Sequence, residues 1–110
     1  MSPVGSRQIS VSDLTPTQGA RFLFEREGDD VDGARYKVAI YTPTATFAGA
    51  ARLGYDGSAR VEVAEAPAEL VASAEMFGKL TARAALKQKD DGMPPWPARI
   101  LRWRGPGRGQ

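Results

Sequence analysis

The chain has 110 residues, with 15 lysines and arginines against 13 aspartates and glutamates, and it contains neither histidine nor cysteine. This length fits one domain with a modest core. The missing residue types exclude disulfides, thiolate nucleophiles, Ser-His-Asp triads and metal sites with histidine or cysteine ligands. Only carboxylates, lysine, tyrosine and serine remain for chemistry, so the composition favours a protein that is not an enzyme and requires no cofactor.

The basic charge is concentrated near the C-terminus. Residues 1–92 hold eleven basic and thirteen acidic side chains, whereas residues 93–110 hold four arginines and no acid. No window is apolar enough for a membrane span, and the first residues lack the basic and apolar regions of a signal peptide. We therefore predict a cytoplasmic protein without membrane insertion, whose basic C-terminal segment meets a partner.

Alternating apolar and polar residues predict two β-hairpins. In the first, residues 20–27 and 35–41 are strands that flank the turn-rich run 28–33, and Phe22 and Phe24 share one face. In the second, residues 47–53 and 59–63 flank an Asp-Gly turn, which tolerates positive φ and favours tight hairpins. The preceding residues 1–19 are rich in serine, threonine, proline and glycine and predict a flexible arm.

Residues 67–88 allow two interpretations, and the fold depends on them. A helical period places one set of apolar side chains on a common face, namely Leu70, Ala74, Phe77, Leu80 and Ala84. However, Gly78 interrupts this pattern, and residues 80–87 also alternate with a period of two. We favour a short helix over 67–77 and a strand over 79–88 that pairs with residues 99–104. One helix over 67–89 is the alternative.

The two interpretations lead to different folds. The first gives a mainly β fold, a small six-stranded antiparallel barrel or roll with one short helix. The alternative gives an α+β fold, a four- to five-stranded antiparallel sheet packed by one helix at 67–89. In both, residues 20–104 form a single domain, between a flexible N-terminal arm over 1–19 and a flexible basic tail over 105–110.

The order of these features resembles the PilZ domain family over residues 20–104. The resemblance is carried by residues 34–40, the Phe47-Ala48-Gly49 run, the turn into residues 59–63 and the closing run 97–104. PilZ domains are small six-stranded barrels, and many bind cyclic di-GMP to regulate motility, pili or exopolysaccharide. The resemblance therefore implies a bacterial regulatory domain of cyclic di-GMP signalling, in motility, pilus or envelope control.

The ligand motifs of that family are altered in this chain. The family's Arg-x-x-x-Arg pair corresponds to Arg21 and Arg26, which are five positions apart within a predicted strand. Of the Asp/Asn-x-Ser-x-x-Gly motif, Asp56 and Ser58 are present, and Val61 stands in the place of glycine. Phosphate recognition needs paired arginines and a close backbone approach at glycine. We therefore expect an adaptor with lost cyclic di-GMP binding, and a cyclic di-GMP receptor is the alternative.

The last predicted strand carries the candidate partner-binding residues. These are Arg99, Arg102, Trp103 and Arg104. Alternation places Leu101 and Trp103 on one face and Ile100 and Arg102 on the other, and Trp103 and Ile100 cannot both point into one core. Tryptophan and arginine are enriched at interface hot spots, and an aromatic ring beside arginines also suits stacking of single-stranded bases. The strand therefore predicts contact with a protein partner or, as the alternative, with single-stranded nucleic acid.

Two further runs have structural interpretations. The acidic residues around Asp30 lack the later ligand positions of a calcium loop, so we interpret them as a solvated turn without a metal. The run 94–97 has the spacing of a polyproline ligand. We favour an extended lead-in to the last strand, in which Trp96 covers one end of the core.

Overall fold

The computed structural model describes residue 16 and residues 18–105, and within them one helix packs on one antiparallel sheet. The elements are β1 (Ala20–Asp29), β2 (Gly33–Tyr41), β3 (Thr46–Gly54), β4 (Ala59–Val63), α1 (Ala68–Asp90) and β5 (Arg99–Arg104). The sheet has the order β4-β3-β2-β1-β5. Most of the arm predicted over 1–19 and of the tail predicted over 105–110 lies outside the described residues.

Both predicted hairpins are confirmed. β1 pairs with β2, and β3 pairs with β4, each in antiparallel register. In the first turn, the Asp30 carboxylate accepts the backbone N–H groups of Asp32 at 2.9 Å and Gly33 at 3.1 Å. In the second turn, Gly57 has a φ of 89°, the conformation that the Asp-Gly pattern predicts.

The strand predicted over 79–88 is wrong, because these residues form the second half of α1. Small side chains face the sheet along this part of the helix. The buried residues of α1 are Leu70, Ser73, Ala74, Gly78, Ala82 and Ala85. Leu80, which the helical pattern placed on the core face, is 53% exposed. The buried face is therefore rotated from the expected one towards glycine and alanine.

Gly78 allows close packing instead of ending the helix. A Cβ atom at this position would lie 2.9 Å from Leu53 Cδ2 and 3.0 Å from Ala59 Cβ, which is tighter than ordinary van der Waals contact. The backbone of α1 thus approaches β3 and β4 as closely as a glycine permits. The position that suggested an interruption in the sequence is a point of helix–sheet contact.

The sheet formed by the described strands is open, so the barrel predicted as the first choice is not formed. β5 pairs with β1, with Ile100 opposite Phe24. The predicted pairing of β5 with residues 79–88 does not occur, since those residues are helical. The structure is mainly β, and the alternative description of a five-stranded sheet packed by one helix is confirmed.

The core lies between α1 and the sheet and is covered at one end by Trp96. The Phe22 ring meets the Phe77 ring edge-on with 5.1 Å between the centroids. Trp96 is 1% exposed, and its ring lies 5.0 Å from that of Tyr55. The Tyr36 hydroxyl donates to the Pro97 carbonyl at 2.7 Å, and burial raises the pKa of Tyr36 to about 12. The proline-rich run is therefore part of the packed fold, and the prediction that Trp96 covers one end of the core is confirmed.

Candidate functional site

The structure does not bring the four candidate ligand-binding residues together. Arg21 lies near the start of β1, at one end of the sheet. Arg26 follows Phe22 and Phe24 on the core side of β1 but is itself exposed, and its guanidinium donates to the Trp96 carbonyl oxygen. Asp56 and Ser58 lie in the β3–β4 turn, at the end of the sheet opposite Arg21. Arg21 and Arg26 therefore lie at different places along β1, away from the turn that Asp56 and Ser58 share.

Asp56 and Ser58 stabilise that turn through bonds to each other. The Ser58 hydroxyl donates to the Asp56 carboxylate at 2.6 Å, and the Ser58 backbone N–H donates to it at 3.0 Å. These two hydrogen bonds hold the pKa of Asp56 below its ordinary value. The side chains of Asp56 and Ser58 therefore stabilise the turn.

β5 is an edge strand that divides the candidate partner-binding residues between two faces. Ile100 belongs to the core and is 4% exposed. Because side chains alternate, Trp103 and Leu101 then lie on the opposite, open face, where they are 50% and 37% exposed. Of the two residues that could not both enter the core, Ile100 is buried there and Trp103 is not.

Two of the arginines of β5 are engaged within the fold. Arg104 donates to the Ser73 hydroxyl at 2.9 Å, which connects β5 to the first turns of α1. Arg99 forms an ion pair with Glu25 at 3.2 Å across the β1–β5 pairing. These contacts give Arg104 a structural role and offset part of the charge of Arg99.

Arg102 and Trp103 remain directed at the surface. The Arg102 guanidinium donates to the Leu101 carbonyl oxygen at 3.1 Å, and the Arg102 side chain is exposed. The Trp103 indole N–H donates to the Gln18 carbonyl oxygen at 3.3 Å, so its ring is oriented on the open face. We call the surface formed by Leu101, Arg102 and Trp103 the β5 surface.

A row of three arginines on the open face was not recognised in the sequence. Arg35, Arg52 and Arg60 are directly opposed on β2, β3 and β4. Like charges in this arrangement are destabilising, and Asp30 offsets one of them through an ion pair with Arg52 at 2.9 Å. That hydrogen-bonded pair lowers the pKa of Asp30 to about 2. An arginine at an outward position in three successive predicted strands is the signal that could have revealed the row.

The cleft beside this row has balanced charge. It has a volume of about 220 Å³ and is lined by the three arginines together with Glu27 and Glu62. With Asp30 paired to Arg52, the acidic and basic groups around the cleft are equal in number. Because these charges offset one another, the arginine row is a weaker candidate for an anion site than the β5 surface is for a partner contact.

Comparisons with protein-family models, curated proteins and solved structures give no match for this chain. The resemblance to the PilZ domain family therefore stays a prediction. Among residues 18–105, no cluster of carboxylates is suited to hold a metal ion. The helix of this described part lacks the apolar character needed to cross a membrane.

Proposed function

We propose that this chain is a non-catalytic regulatory or adaptor domain that acts through protein–protein contact at the β5 surface. The main support for this proposal is that the edge strand β5 exposes Trp103 and Leu101 beside Arg102. Tryptophan and arginine supply much of the binding energy at protein interfaces. The resemblance to PilZ domains extends the proposal to bacterial signalling in motility, pilus or envelope control.

We also propose that the domain has lost cyclic di-GMP binding. The separation of Arg21 from Asp56 and Ser58 supports this, because a ligand with two phosphates needs its arginines and turn residues side by side. Calorimetric titration with cyclic di-GMP should give no heat of binding. Sub-micromolar binding that Arg21→Ala abolishes would contradict the proposal and favour the receptor alternative.

Single-stranded nucleic acid is the second candidate partner, and one observation favours it. Trp103 shares the open face with a set of basic residues on the neighbouring strands. That set is Arg21, Arg35, Lys37, Arg52, Arg60 and Arg99. Aromatic rings on a basic sheet face can stack bases while the cations contact phosphates. Glu25 and Glu62 lie on the same face and oppose this role, which leaves a protein partner as the first choice.

Crosslinking in the native cells tests the class of partner. A photoreactive phenylalanine analogue at position 103 should crosslink to a small set of proteins, because this side chain lies on the β5 surface. The same analogue at position 79, exposed on the side of α1 away from the sheet, should not give these products. Identical products from both positions would contradict the proposal, and crosslinks to nucleic acid from position 103 alone would favour the second candidate.

A further inference from the structure

The pairing of β5 with β1 determines which backbone groups of β5 point outwards. The Ala98 carbonyl accepts the N–H of Arg26 at 2.9 Å, and the same register continues to Arg104 opposite Ala20. In an antiparallel ladder, pairs that exchange hydrogen bonds alternate with pairs that do not. The even-numbered residues of β5 therefore bond to β1. Residues 99, 101 and 103 direct their N–H and C=O groups away from the sheet.

Arg102 places a positive charge at this open edge. Its guanidinium donates to the Leu101 carbonyl oxygen at 3.1 Å, one of the groups that point outwards. Because the Cβ of Arg102 lies on the α1 side, its side chain must curl around the strand to reach that oxygen. An exposed Leu101 and Trp103 flank the same edge on the open face. Backbone groups, a cation and apolar side chains thus line one edge.

We propose that β5 accepts an extended, acidic segment of a partner protein as a sixth strand of the sheet. This inference rests on the proposed function and specifies the partner. Strand addition gains its affinity from backbone hydrogen bonds and its specificity from alternate side chains. Carboxylates on the α1 side of the added strand meet Arg102, and apolar side chains on the other side meet Leu101 and Trp103.

A second copy of this chain fits the edge less well than an acidic segment. If two β5 strands paired in antiparallel fashion with the symmetry axis at Arg102, the two Arg102 side chains would lie directly opposite each other. With the axis at Leu101, the two Arg102 side chains would be diagonal neighbours. Like charges in these positions oppose association. The excess of arginine over acidic residues near the C-terminus therefore favours an occupant of opposite charge.

The other edge strand among the described residues, β4, differs from β5 in length, in packing and in charge. β4 has only five residues, and α1 packs mainly against it. Its exposed positions alternate between Arg60 and Glu62 on one face, so that the two charges offset each other. Arg60 therefore provides a matched position at which a charge reversal should leave binding at β5 unchanged.

Two synthetic peptides test the charge of the partner. Glutamate alternates with valine in the first peptide, and lysine alternates with valine in the second. The binding of each peptide to the full chain is measured by fluorescence anisotropy. The glutamate peptide should bind, and Arg102→Glu should weaken it by about tenfold while creating affinity for the lysine peptide. Arg60→Glu should change the affinity less than about twofold.

A proline substitution tests strand addition itself. The N–H of residue 101 points away from β1, so Leu101→Pro removes an edge donor without removing a bond to β1. Leu101→Pro should weaken the glutamate peptide more than Leu101→Ala, which loses the side chain alone. Circular dichroism of both variants establishes that they are folded.

Several outcomes would overturn the inference. The first is that the glutamate peptide binds the wild-type chain and Arg102→Glu with equal affinity. The second is that Leu101→Pro and Leu101→Ala weaken the binding of this peptide equally. The third is that the chain associates with itself and the peptide does not displace the second copy. If crosslinks from position 103 persist while the peptide fails to bind, the proposed function stands and the acidic strand is wrong. If the crosslinks are absent as well, both are wrong.

Discussion

Replacing Trp96 with alanine should lower the free energy of unfolding by about 3–5 kcal/mol, because a large, fully buried side chain leaves a cavity that the fold cannot close. Trp96 is 1% exposed and packs against Tyr55. Its own carbonyl oxygen and that of Pro97 accept side-chain hydrogen bonds from Arg26 and Tyr36. The loss is a large share of the stability of an ordinary domain.

Trp103 provides the matched control for this prediction. It is half-exposed on the open face, so Trp103→Ala should change the free energy of unfolding by less than about 1 kcal/mol. Urea unfolding of the wild-type chain and the two variants gives the comparison from midpoints and slopes. Equal losses in the two variants would contradict the burial of Trp96 at the end of the core.

Gly78→Val should destabilise the domain by about 1–3 kcal/mol through overpacking between α1 and the sheet. The new Cβ alone would lie 2.9 Å from Leu53 Cδ2 and 3.0 Å from Ala59 Cβ, and valine adds two methyl groups beyond it. Leu53 is fully buried and has little space to move into, and the Ala59 Cβ is attached directly to the backbone of β4. The intrinsic preference of valine over glycine for helix offsets a part of this loss.

Ala72→Val separates the packing effect from helix propensity. Ala72 is exposed on α1, so the same side chain is added there without a contact to the sheet. We expect a loss below about 1 kcal/mol for this variant. Thermal unfolding followed by circular dichroism compares the two, and an equal decrease in Tm would show that α1 does not pack closely at Gly78.

The hairpins could be predicted because their strands alternate clearly and have turn residues between them. Phe22 and Phe24 face the core, as a period of two requires. The helix could not be assigned in the same way, since the residues that α1 buries are mostly glycine and alanine. A small-residue face gives a weak apolar signal at a period of 3.6, and Leu80, which strengthened the expected face, is itself exposed.

At β5, the sequence predicts the alternation of side chains, which is confirmed, but it could not decide whether Ile100 or Trp103 enters the core. That choice depends on the side of the sheet on which α1 packs. For the same reason, the bond between Arg104 and Ser73 could not be foreseen. The edge position of β5 follows from pairing with β1, a contact between distant parts of the chain that local patterns do not encode.

If β5 presents an open edge to a partner strand, amide hydrogen exchange measured by NMR should divide its residues into two sets. In the free chain, we expect the amides of residues 99, 101 and 103 to exchange quickly and those of residues 100, 102 and 104 to be protected. Adding the glutamate–valine peptide should slow exchange in the first set alone. Protection of the first set before the peptide is added would show that the edge of β5 is not open, and unchanged exchange in a chain that has bound the peptide would show that no strand is added there.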